Sequence, residues 1–216
     1  MKIIRSMVGV LTLGAGFGAI TFLTKDASSP GGMIGRRLVD ADWAWVVKVA
    51  EVASLLLDVG WAWAALAVAA GWLVGGLIRG AAAGTLALIA ATAAYYCAKF
   101  ALAEVPLAGQ WSLMRYWWFA SVLFGPMLGA AGASIRHPGV IGLFARSTVP
   151  IGAIVQMTFL PPRIFLIGRP EAAWALVIVW TAAAVSIGVI LIRFLAAVRH
   201  RDLEINAHES RSQQAP

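Results

Sequence analysis

The 216-residue chain is 61% hydrophobic and only 12% charged, with a mean hydropathy of +0.82. Soluble domains carry about 25% charged residues, so the composition excludes a soluble enzyme and indicates an all-α integral membrane protein of the cell membrane. The formal charge of +7 comes from Lys and Arg at segment ends, where they meet lipid headgroups, so the expected partner is the bilayer and not nucleic acid.

Taken in order, the first apolar run, Met7 to Leu23, follows two bases and lacks a small-residue cleavage site, which predicts a retained first span with Gly14, Gly16 and Gly18 suited to close packing. Lys25 to Asp42 contains Gly, Ser and Pro and reads as a long loop of the kind used as a lid or binding loop. Trp43 to Leu57 is then an interfacial helix, a re-entrant helix or part of one tilted span, and Val59 to Ile78 is the second span, ended by Arg79 and Gly80. Ala81 to Ala103 is the third span, with Thr85, Thr92, Tyr96 and Lys99 on one broad face. It also holds Cys97, the single cysteine, which excludes an intramolecular disulfide and reads as a small buried hydrophobe.

The fourth span opens on Arg115, Tyr116, Trp117 and Trp118, an interface anchor, and continues to a face of Gly125, Gly129 and Gly132 that allows close helix approach, with a bend at Pro126. Val140 to Leu160 is the fifth, carrying Pro150, Gln156 and Thr158 and ended by Pro161, Pro162 and Arg163; Glu171 to Phe194 is the sixth. The fold expected is one bundle of about six spans over residues 1–198, with an extra helix at 43–57 and a charged, disordered tail at 199–216. Lys and Arg divide almost evenly between the two sides and tip only slightly toward cytoplasmic termini. No internal repeat is evident, which weakens a reading as an inverted-repeat transporter, and oligomeric state is not written in the sequence.

Two carboxylates interrupt this apolar pattern. Glu51 and Asp58 are seven residues apart, which in a helix places them within about 20° of one face. Ser54, Trp61 and Trp72 extend the stripe. Each ionisable group at membrane depth costs about 2.5–3.5 kcal/mol on insertion scales, so it needs a partner or a purpose. Two structural readings stand beside a functional one: Asp58 capping the second span from the interface, and Glu51 pairing with Lys48 on a surface helix. Outside the segment ends at Glu104 and Glu171, no further carboxylate at depth is expected.

No HExxH, GxSxG, phosphate-binding loop, aspartate-rich diphosphate motif or Cys/His cluster occurs. No cofactor is expected, and no motif supports Mg2+. What remains is acids, three tyrosines and ten tryptophans. A carboxyl group among Leu, Val and Trp is a candidate proton donor. Aromatic rings hold a cation by about 0.5–2 kcal/mol per contact. Trp43, Trp45, Trp111, Trp117 and Trp118 fit an interface belt, whereas Trp61, Trp63, Trp72 and Trp180 are less easily placed there.

The run from Leu55 to Phe100, with its Trp- and Ala-rich segment and the Tyr95–Tyr96 pair, followed by Trp118 to Gly129, resembles small six-span actinobacterial membrane proteins. Some of those resemble the membrane-bound terpene cyclases of indole-sesquiterpene, drimentine-type pathways; the likeness covers residues 45–160. It implies acid-initiated (class II) cyclisation of a farnesyl-type isoprenoid substrate. On the residues themselves, Asp58 is then the acid and Glu51 its partner. Trp61, Trp63, Trp72, Tyr95, Tyr96 and Trp118 surround the cation, with Gln156 at depth in the fifth span, and Lys99 and Arg115 hold a polar head or pair with the acids. The alternative is a small-molecule transporter or a substrate-capture subunit of the vitamin-binding kind, which performs no chemistry.

Overall fold

The computed structural model describes residues 2–103, 106–159 and 170–213. Pro161, Pro162 and Arg163, and the segment end at Glu104, lie outside them. The described residues form eight helices and no strand: α1 (Lys2–Ser28), α2 (Met33–Asp40), α3 (Ala44–Leu57), α4 (Gly60–Val74), α5 (Leu77–Ala103), α6 (Leu107–Ser134), α7 (Val140–Phe159) and α8 (Pro170–Gln213). Among the described residues four stretches are long and apolar enough to cross a membrane: Arg5–Ser28, Leu77–Ala103, Val140–Phe159 and Glu171–Arg199. A fifth arises if α3 and α4, bent by 67° at their junction, count as one broken span. Large apolar side chains stay exposed on every long helix, Val8, Ile78, Phe119, Phe144 and Ile192 among them. That surface suits hydrocarbon better than water, consistent with a multi-pass membrane protein.

Helix α6 is 28 residues long but is not among those stretches, because Arg115 and the tryptophans in its first half and Gly125, Pro126, Gly129 and Gly132 in its second keep its hydropathy low. Its glycines nevertheless form the centre of the bundle. A Cβ on Gly129 would overlap the Gly80 carbonyl, one on Gly71 would overlap the Gly129 carbonyl, and one on Gly132 the Val68 carbonyl. The face of Gly125, Gly129 and Gly132 therefore seats two helices, α4 and α5, at backbone contact, the geometry that small residues allow where apolar solvent offers no hydrophobic drive.

Helix α1 packs on α5 by the same device and in parallel. Gly14 meets the Ala87 backbone, Gly18 meets Ala91, and one turn further the Phe22 ring stands edge-on to Tyr95 with centroids 5.6 Å apart. Gly16 faces open space, so only two of the three first-span glycines serve packing. Val10, Leu66, Ala67, Ala83 and Ala87 fill the core between α1, α4 and α5.

Several boundaries differ from the sequence reading. The second span stops at Val74, because Gly75 and Gly76 take φ of +67° and +73°; two consecutive left-handed glycines reverse the chain in the shortest possible turn. Ile78, Arg79 and Gly80 thus open α5 instead of closing α4. The Lys25–Asp42 segment is no loop, since α2 occupies Met33–Asp40.

Its N-terminus is held by Asp26, a buried acid absent from the expected set of carboxylates at depth, whose Oδ2 accepts from the Ile34 N–H at 2.8 Å. An orphan N–H of α2 thereby gains an acceptor, and the buried carboxyl gains a partner. Cys97 is exposed on the outside of α5 rather than buried. The final helix trace continues through residue 213, into the charged segment read from sequence as a disordered tail.

Candidate functional site

The α3–α4 junction organises the polar groups. α3 ends at Leu57, Asp58 caps it with its N–H still bonded to the Ser54 carbonyl, and Val59 is extended before α4 starts at Gly60. The break leaves N–H groups of the first turn of α4 without helical partners. One is satisfied from across the bundle: the Gln156 Oε1 on α7 accepts from the Trp61 N–H at 2.9 Å. Gln156 is thus placed as a capping side chain. Gln156→Leu should leave that N–H unsatisfied and cost about 1–3 kcal/mol. Thermal unfolding and faster amide exchange at residues 59–63 would report it.

Asp58 itself faces α1. Its Oδ2 accepts from the Lys25 ammonium, the ion pair found among the described residues. Half of the Lys25 side chain and a third of that of Asp58 remain accessible, so the pair sits at the end of the bundle and can be reached from outside it. Tyr95 on α5 lies beside both partners, with its hydroxyl toward Lys25. Its ring packs on Phe22 and also meets Tyr96 at 5.3 Å. Tyr96 is buried, and the Lys99 ammonium stands 6.0 Å from its ring centre. The register set by Gly14, Gly18, Ala87 and Ala91 is what brings Lys25 to Tyr95: Tyr95 stands one helical turn beyond Ala91, and Lys25 two turns beyond Gly18.

Of the residues singled out from sequence, the structure therefore gathers Asp58, Tyr95, Tyr96 and Lys99. It adds Lys25 and Phe22, which the sequence reading left unassigned. The others lie elsewhere. Glu51 is half-buried on α3, on one face with Asp58 and two turns before it; the Asp58 N–H still bonds the Ser54 carbonyl, and the 67° bend removes Trp61 and Trp72 from that stripe. Trp63 packs edge-on against Phe17 in the core, with centroids 5.4 Å apart. Trp72 lies under the Arg136 guanidinium, 5.3 Å away, where α4 ends and α6 ends. Trp118 stacks edge-on with Trp111, and Arg115 covers Trp111 instead of approaching an acid.

Trp61 lines a cavity of about 120 Å3 with Val149, Pro150 and Ala153 of α7 and Val179 and Ser186 of α8. Ligand pockets for drug-sized molecules are larger, about 300–1,000 Å3. Among the described residues no three His, Cys, Asp or Glu side chains gather as metal ligands.

The site so assembled is an accessible cation and anion in contact, backed by two phenol rings and one phenyl ring, at a break in a helix. It can exchange its internal ion pair for contacts to a charged or zwitterionic molecule, with Lys25 donating, Asp58 accepting and Tyr95 doing either. No family profile matches this chain, and no curated protein or solved structure matches it.

Proposed function

We propose that the chain is a small-molecule membrane carrier or substrate-capture protein whose polar centre is Lys25, Asp58 and Tyr95. The observation that supports it is a helix break whose capping carboxylate is ion-paired to a neighbouring helix at an accessible end of the bundle. Irregular backbone in a membrane protein is tolerated where protein satisfies it or where it lines a cavity, and the charged pair at this break is available to a polar ligand. In this reading α4 crosses from that end with α3 leading into it, and α6 also crosses, held by its glycine face, so the bundle has six spans.

The competing reading is the acid-initiated terpene cyclase, favoured by the Phe22, Tyr95 and Tyr96 rings around Asp58. An initiating acid must aim its proton at an alkene, whereas the Asp58 Oδ2 here is engaged with the Lys25 ammonium. The cavity lined by Trp61 is small for a fifteen-carbon chain.

Expression in a host supplied with farnesylated and epoxidised substrates, followed by mass spectrometry and NMR of what co-purifies, separates the two. A compound recovered chemically unchanged supports capture or transport. A cyclised isomer made by the wild type and lost in Asp58→Asn would establish the cyclase instead. NMR is required because proton-initiated cyclisation ending in proton loss leaves the mass unaltered.

A further inference from the structure

The acids are confined in a way the overall charge conceals. Between Asp58 and Glu171 the sequence contains a single acid, Glu104, and before Asp26 it contains none. Asp26, Asp58 and the α2–α3 acids all belong to the end of the bundle where α1 finishes and α4 begins. The opposite end contains the α4–α5 turn, the α6–α7 turn and the start of α1, and these carry Lys2 and the arginines Arg5, Arg79, Arg136 and Arg146 without an acid. The α8 extension beyond it balances itself, with Arg199, Arg201 and Arg211 against Asp202, Glu204 and Glu209.

Three of these arginines are held by neighbouring groups at the ends of α5, α6 and α7. Gly80 packs against Ala133, putting Arg79 and Arg136 at the ends of touching helices. Arg136 lies over the Trp72 ring at 5.3 Å. The Arg146 Nε donates to the Ile135 carbonyl at 3.0 Å, tying the start of α7 to the end of α6. Arg79 folds back toward Gly76 in the turn. All three are exposed. Ring stacking and carbonyl bonding reduce the freedom a guanidinium loses on binding, and its planar fork matches phosphate oxygens.

We propose that this end binds the phosphate of an anionic phospholipid headgroup through Arg79, Arg136 and Arg146. Trp72 sits at headgroup level beside them, as interface tryptophans do. The same end then faces the anionic cytoplasmic leaflet. That sets the N-terminus of α1 inside and turns the Lys25–Asp58 pair outward, the arrangement a protein capturing an external molecule requires; the lipid site itself does not depend on that function.

The test uses the full chain in detergent, with phosphatidylglycerol or phosphatidylcholine added and retention read by native mass spectrometry. Phosphatidylglycerol should be retained in preference to phosphatidylcholine, with affinity falling about five-fold for each of R79Q, R136Q and R146Q. R36Q/R37Q, on α2 at the other end, should retain it as the wild type does. Because each position is exposed, the single variants should fold, and circular dichroism checks this. Equal retention of both lipids, or unchanged retention by the R79Q/R136Q/R146Q variant, overturns the proposal. Displacement of the lipid by an equal concentration of soluble glycerol phosphate also overturns it, since the site would then recognise a free anion and not a lipid.

Discussion

Gly129→Leu is expected to prevent the bundle from assembling. The Gly129 backbone lies against Gly80 and Gly84 of α5 and Gly71 of α4, and even a Cβ there meets main-chain atoms that no rotamer change can move. Overpacking a core commonly costs about 1–3 kcal/mol. Here two helices must separate together, so the loss should exceed about 3 kcal/mol and reach the range seen only for severe core lesions. Gly129→Ala should fall between that and the wild type. Gly16→Leu supplies the control, since Gly16 has open space around it. Thermal unfolding in detergent, followed by circular dichroism, should show Gly16→Leu close to the wild type and Gly129→Leu without a cooperative transition. Similar Tm values for the two would mean that the glycine face is not the centre of packing.

The second large effect is on binding and leaves stability nearly untouched. Asp58→Ala removes the partner of Lys25, but half-exposed pairs contribute little, about 0.2–1 kcal/mol. The variant should therefore unfold within a few degrees of the wild type. Its retention of the captured molecule should be abolished, because Lys25 and Tyr95 then face that molecule without the acceptor. Tyr95→Phe, which keeps the contact with Phe22, should weaken binding by about ten-fold, the loss of one hydrogen bond to a charged group. Isothermal titration with the identified molecule measures both.

The helical, membrane-suited character of the chain was readable because composition alone decides it. The glycine contacts were readable too, since Gly125, Gly129 and Gly132 share a face by simple periodicity. Less visible was the pairing of faces. Gly14, Gly18 and Phe22 in one helix, and Ala87, Ala91 and Tyr95 in another, repeat the same small, small, aromatic pattern at four-residue steps. Matching those two patterns would have put Lys25 beside Tyr95, but nothing in one helix says which other helix it meets.

The Glu51–Asp58 stripe illustrates a different limit. Helical arithmetic holds only while the helix continues: it carries from Glu51 to Asp58, whose N–H still bonds the Ser54 carbonyl, but the chain turns extended at Val59 and the arithmetic fails for Trp61 and Trp72. No proline or glycine marks the break before Gly60. It is stabilised by two distant side chains, Lys25 and Gln156, and local sequence cannot show either. Asp26 escaped notice for the same reason: its acceptor role exists only because the chain folds back through α2.

The measurement that bears most directly on the functional centre is a charge exchange. Lys25→Asp and Asp58→Lys are made singly and together, and each protein is tested for the small molecule that the wild type retains through purification, identified by mass spectrometry. If the pair at the helix break is the binding centre, each single variant, with two like charges in contact, loses the molecule, and the double variant, with the pair restored in reverse, regains a substantial part of it. Retention by both single variants at the wild-type level would contradict that assignment and place the binding site elsewhere in the bundle.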